Sequence, residues 1–150
     1  MKRTVFVTGA GASAPYGFRL GMQLAGGIIG WLQQPQSLEL LKPFGLEREQ
    51  IISFAESLQQ SGRQSVDAFL EHRPEYIQIG KLAIANSLIQ CEQLPMLFGR
   101  SDSWLDYLFN RTNCPFEKFG QSGIAFITFN YDRSPEQYFY LLKKFVWEER

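Results

Sequence analysis

The segment Val5-Phe6-Val7-Thr8-Gly9-Ala10-Gly11-Ala12-Ser13-Ala14-Pro15-Tyr16-Gly17 joins an apolar run to a glycine-rich turn. Val5 to Val7 read as a buried strand, and a helical pattern follows the turn from about Leu20. Strand, glycine loop and helix in that order form an anion site. Glycines let the backbone approach a phosphate, and a following helix offers free N–H groups and the positive end of its dipole.

Outward from that loop, the 150 residues suffice for one domain with a real core. Fifteen basic and fifteen acidic side chains cancel. This balance argues against charge-driven nucleic-acid binding, which needs a surplus of Lys and Arg. Met1-Lys2-Arg3 leads straight into the strand and not into an apolar leader. No apolar run approaches the ~18 residues needed to span a bilayer. Cys91 and Cys114 form no paired motif and read as reduced thiols, without a zinc site. A cytoplasmic protein that binds neither membrane nor metal is expected.

Helical spacing recurs through the middle of the chain. Leu20, Leu24, Ile28 and Trp31 form one stripe, interrupted by four glycines that either weaken the helix or allow close packing on the sheet. Ile51, Phe54, Ala55 and Leu58 form a second stripe on an otherwise polar helix over 46–58. Ser65 caps a short helix, which ends before Pro74. Pro74 opens a long helix to about Glu92, with Ile77, Ile79, Leu82, Ile84, Leu88 and Ile89 on more than one face, as in a centrally buried helix. Pro95 and Gly99 break the pattern, and a helix over 102–111 turns Trp104, Leu105 and Leu108 inward.

Ile124-Ala125-Phe126-Ile127-Thr128-Phe129 is apolar at nearly every position, the pattern of a strand covered on both faces. Asn130-Tyr131-Asp132 follows. Ser134-Pro135-Glu136-Gln137 then reads as a capped helix start, with Tyr138, Leu141, Leu142 and Phe145 as its inner stripe. Two strands far apart in sequence thus flank a helical insertion at about 33–118. If they pair in parallel, the Gly9–Ser13 loop and the Asn130–Asp132 turn meet beyond their carboxyl ends, where open α/β sheets bind ligands.

Gly9-Ala10-Gly11-Ala12-Ser13-Ala14 also fits a G-x-G-x-x-A dinucleotide fingerprint. A dehydrogenase would start its helix inside the motif and place a carboxylate about 20 residues on. Pro15 and Gly17 delay the helix, and no carboxylate closes a second strand near Gly30. A ligand-free strand-to-helix turn is the plainer alternative for the loop. An Asn/Asp turn capped by Ser134 is the plainer alternative for 130–132.

Taken together, the two segments resemble the sirtuin superfamily. The glycine loop is similar to its Gly-Ala-Gly-x-Ser signature, and Thr128-Phe129-Asn130-Tyr131-Asp132 to its Thr-x-Asn-x-Asp signature. The likeness is closer to bacterial sirtuin-like domains that consume NAD in antiphage defence. Segments 65–71, 79–85 and 104–109 look like the intervening helices of those domains. The resemblance implies a Rossmann-like parallel sheet, with a large helical insertion between its first two strands, that binds NAD as substrate. It implies that Ala10 and Gly11 meet the diphosphate through backbone N–H groups and that Ser13 supports the loop. By the same resemblance, Gly9 and Gly17 would belong to that cofactor-binding loop. Asn130 would sit by the nicotinamide ribose and position the attacking water, and Asp132 would face the carboxamide. The implied reaction is cleavage of the nicotinamide–ribose bond.

Four departures shape this reading. Phe18-Arg19-Leu20-Gly21 stands where sirtuin deacetylases carry Pro-Asp-Phe-Arg, and their four-cysteine zinc module is absent. Both disfavour deacetylation. The family's histidine lies beyond the second motif, whereas the one histidine of this chain, His72, reads as a surface residue. The chain closes at Trp147-Glu148-Glu149-Arg150, one helix past the second strand, as a sheet incomplete at its C-terminus would. Alternatives are an NAD- or ADP-ribose-binding module without the catalytic histidine, and a non-enzymatic fragment that oligomerises or joins a defence-system partner protein.

Overall fold

The computed structural model describes residues 3–98, 101–112 and 114–144, without the side chains of residues 116 and 117. In chain order the elements are β1 (Thr4–Thr8), a 3-10 turn (Ala10–Tyr16), α1 (Gly21–Leu32), α2 (Pro35–Leu41) and α3 (Arg48–Gln60). Then come α4 (Val66–Leu70), α5 (Ile77–Cys91), α6 (Leu94–Leu97), α7 (Trp104–Thr112), α8 (Phe116–Phe119), β2 (Ile124–Thr128) and α9 (Ser134–Leu142). Among the described residues the fold is mixed α/β, mostly helical, with one two-stranded parallel sheet. Gly99, Phe145 and the closing Trp147 to Arg150, all given parts in the sequence reading, lie outside the described residues.

The chain divides into two compact units: a sheet unit (Met1–Phe18 with Cys91–Arg150) and a helical unit (Arg19–Gln90). The insertion expected at about 33–118 thus overlaps both.

The helical unit is organised by its apolar stripes. Ile51, Phe54, Ala55 and Leu58, the four expected residues, are the buried face of α3. They join Ala25, Ile28 and Leu32 of α1, Val66 and Phe69 of α4, and Ile79, Ala83 and Ile84 of α5 in one cluster. Glu47 and Gln50 close a capping box at the start of α3, and Ser65 accepts from the Ala68 N–H at 3.2 Å, as its cap role requires. Gly27 gives way to a neighbouring side chain: a Cβ there would lie 2.0 Å from Arg19 Nη1. α5 corrects an expectation. Its buried residues are Ile79, Gly80, Ala83 and Ile84, while Ile77 and Ile89 are exposed. One face is covered, because isoleucines spread around a helix report composition and not a covered surface.

In the sheet unit the strands pair from Thr4↔Ile124 to Thr8↔Thr128. Side chains alternate across a sheet, so one face carries Phe6 and Phe126, whose rings stack 5.5 Å apart. Phe126 also meets Trp104 and Phe139, at 6.3 and 5.9 Å between centroids. The other face carries Val5, Val7 and Ile127, exposed by 54, 65 and 50%. The expectation of strands covered on both faces is therefore corrected. Valine and isoleucine favour extended backbone whether or not a layer packs on them.

Candidate functional site

β1 delivers the chain to Thr8, and the Phe129 N–H extends the ladder by donating to the Thr8 carbonyl at 3.0 Å. Gly9 is extended, and the Ala12 N–H closes the first tight turn onto the Gly9 carbonyl at 2.8 Å. A seven-residue 3-10 turn follows, and the α-helix expected from about Leu20 starts only at Gly21. Pro15 and Gly17 account for this, since a proline ring opposes continued α-helix and Gly17 reverses the backbone. The Ala10 and Gly11 N–H groups have no hydrogen-bond partner among the described residues.

The three loop glycines have different standing. Gly17 has φ +88°, and a Cβ on it would lie 2.8 Å from Met96 Cε, so the fold itself demands glycine. At Gly9 and Gly11 a Cβ would meet no heavy atom within 4 Å and φ is unexceptional. The fold leaves those two positions free. Glycine there keeps open space over the backbone, which suits close approach of a ligand.

Two side chains pin the loop to the start of α7. Trp104 Nε1 donates to the Ala12 carbonyl at 2.8 Å. The buried Tyr16 hydroxyl lies 3.3 Å from Ser103 Oγ and accepts from the Leu105 N–H at 3.2 Å. Ser103 Oγ also accepts from the Asp106 N–H at 3.1 Å, so Ser103 and Tyr16 together satisfy two of the N–H groups at that helix end. Asp106 in turn receives the Tyr138 hydroxyl. Burial is the main cause that raises the pKa of both tyrosines; the Asp106 carboxylate adds to it at Tyr138, and the Ser103 contact opposes it at Tyr16. Both stay neutral hydroxyls.

The second motif meets this loop. Asn130 Nδ2 donates to Ser13 Oγ at 2.8 Å, across 117 positions of sequence. The Asn130 N–H donates to Thr128 Oγ1 at 3.1 Å, which shapes the strand exit. Asp132 is buried, and its Oδ1 accepts from both the N–H and the hydroxyl of Ser134, at 3.1 and 2.6 Å. Ser134 was expected to cap α9; the cap residue is Arg133, and Asp132 ties down the first turn. Asp132 Oδ1 is thus engaged by Ser134 at the start of α9. Gly9, Ala10, Gly11, Ser13 and Asn130 gather at the carboxyl ends of the two strands, while Gly17 holds the loop's far end.

Two buried polar atoms here have no partner among the described residues, Thr8 Oγ1 and Asn130 Oδ1. Thr8, Tyr16, Ser103, Trp104 and Asp106 were not singled out as site residues from sequence. Ser103-x-x-Asp106 carries the spacing of a capping box and was the available signal. A cleft of about 540 Å³ lies in the same unit, lined by Tyr16, Phe18, Leu97, Arg133, Ser134 and Tyr140 among others, but by none of the residues at the strand ends. His72 is exposed on a turn of the helical unit. Among the described residues there is no group of three or more potential metal ligands, and no helix long and apolar enough to cross a membrane.

Compared with known proteins, the chain matches no family model, no curated protein and no solved structure.

Proposed function

We propose that the chain carries a sirtuin-like NAD site of Rossmann type, and that its chemistry is cleavage of the nicotinamide–ribose bond. The observation that carries this reading is the Asn130–Ser13 hydrogen bond. It joins two signatures that each mean little alone, at the sheet end where α/β folds place their ligands. The unpartnered Ala10 and Gly11 N–H groups supply donors for a diphosphate. Asn130 is the residue assigned to the reacting ribose and its water. A fixed amide dipole beside a sugar that gains positive charge favours the transition state without reorganising. Asp132 acts through the backbone it holds, which keeps the Asn130 turn in register with Ser13. The setting that the resemblance supplies is NAD consumption in antiphage defence, in the cytoplasm.

The test is release of free nicotinamide from NAD by purified protein. Asn130→Ala is expected to lower that rate by about 10²-fold or more. A wild-type protein that neither releases nicotinamide nor binds NAD or ADP-ribose sinks the reading.

One observation favours a second reading, a module that binds NAD or ADP-ribose without cleaving it. The sheet unit contains no histidine, and the one in the chain is the exposed His72. Imidazole is the commonest general base near neutral pH. Calorimetric binding of both nucleotides with no nicotinamide release selects this module over the hydrolase.

A further inference from the structure

Thr8 is 7% exposed, and its hydroxyl has no hydrogen-bond partner among the described residues. The same holds for the buried Asn130 Oδ1. A buried polar group left unpaired costs about 1–3 kcal/mol, and folded proteins leave few of them. Finding two at one place calls for an explanation.

They are neighbours through the sheet. Thr8 pairs in register with Thr128, and the next residue, Phe129, donates its N–H to the Thr8 carbonyl at 3.0 Å. Asn130 follows directly, with its own N–H on Thr128 Oγ1 at 3.1 Å and its Nδ2 on Ser13. Both unpaired oxygens therefore belong to residues at the carboxyl end of the strand pair.

Their chemistry restricts what they can hold. An amide oxygen only accepts, whereas a threonine hydroxyl can donate or accept. One group that serves both must donate to Asn130 and can accept from Thr8. A hydroxyl does both. A phosphate oxygen only accepts and would oppose the amide oxygen; an ammonium only donates and would leave the Thr8 proton unused.

We propose that Thr8 is a ligand contact, and that with Asn130 it holds one hydroxyl of the ribose on the nicotinamide side of NAD. This rests on the NAD reading above, which places the diphosphate at Ala10 and Gly11 and that ribose beside Asn130. The Gly9–Ser13 loop then reads the phosphates with backbone N–H groups, while the last residue of β1 reads the sugar.

The test is calorimetric titration of wild type, Thr8→Val and Thr8→Ser with ADP-ribose and with ADP, which lacks the distal ribose. Thr8→Val is expected to melt no earlier than wild type, because it removes a hydroxyl without a protein partner. It is expected to bind ADP-ribose about tenfold more weakly, the scale of one lost hydrogen bond, and ADP unchanged. Thr8→Ser keeps wild-type affinity. Because the two side chains share one hydroxyl, adding Thr8→Val to Asn130→Ala is expected to cost less than it does in wild type. Unchanged ADP-ribose binding by Thr8→Val overturns the proposal and leaves the NAD reading standing. So does an equal loss for ADP, or strict additivity with Asn130→Ala. A Val variant that melts well below wild type marks the hydroxyl as structural and also overturns it. Wild type that binds neither nucleotide removes the NAD reading and this inference with it.

Discussion

The helical unit and the sheet unit bury different things. The helical unit is held by a cluster of aliphatic side chains around Phe54 and Phe69, and its one buried polar residue among those described is Ser37. The sheet unit buries Thr8, Ser13, Ser103, Asp132 and Ser134, and links most of them to one another or to the glycine loop. At the same time it leaves Val5, Val7 and Ile127 in the open. Apolar burial is non-directional and tolerates rearrangement, whereas a buried hydrogen bond holds two atoms at one distance. The contrast teaches where geometry matters: the unit that spends its interior on polar contacts is the one whose loops must be held in register.

Substitutions can break this contrast, the largest effect coming first. Phe54→Ala, at the centre of the helical core, is expected to cost about 3–5 kcal/mol in denaturant unfolding. A loss under 1 kcal/mol means that the cluster is not the organising core. In the sheet unit the decisive pair is Gly17 and Gly11. Gly17→Ala forces a side chain into φ +88° and against Met96, for an expected loss of about 1–3 kcal/mol. Gly11→Ala meets open space, so stability is expected to hold within about 1 kcal/mol while NAD binding falls. Equal destabilisation by both removes the distinction between a structural and a ligand-facing glycine.

The tyrosine network gives a pH signature. The folded-state pKa of Tyr138 and of Tyr16 is raised, so their contribution to stability is complete below about pH 10 and is lost as pH rises further. Melting temperature is expected to fall in that alkaline window, and less steeply in Tyr138→Phe. A variant with an unaltered alkaline slope removes Tyr138 from the account. The smallest effect belongs to the open sheet face. Val7→Thr is expected to change stability by no more than about 0.5 kcal/mol, as at ordinary surface sites. A markedly larger loss, together with a change in mass by light scattering, means that a partner or a second copy covers that face in solution.

Local rules were legible where a residue and its partner lie within a few positions. The α3 stripe and the Ser65 cap follow from spacing alone, and each is found. The parallel pairing of two strands more than a hundred residues apart was also expected and is found. The bare face of the sheet was not legible, because valine and isoleucine serve buried and exposed strands alike. Nor was the seat of Tyr16 on Ser103 and Leu105, where each partner is an ordinary residue until the fold brings them together. Ser134 as a cap failed for a related reason. Asp132, two residues earlier, offers a stronger acceptor, and Ser134 became its donor.

Sequence alone determined the alternation of apolar and polar positions, the punctuation by glycine and proline, and hence two strands separated by helices. These follow from steric limits and periodicity within one element. Tertiary structure decided which sheet face is covered, which glycine the fold requires, and that Asn130 reaches Ser13 while Thr8 remains unpaired. Those outcomes depend on atoms distant in the chain meeting at fixed separations, and a hydrogen bond does not exist until both of its ends have arrived.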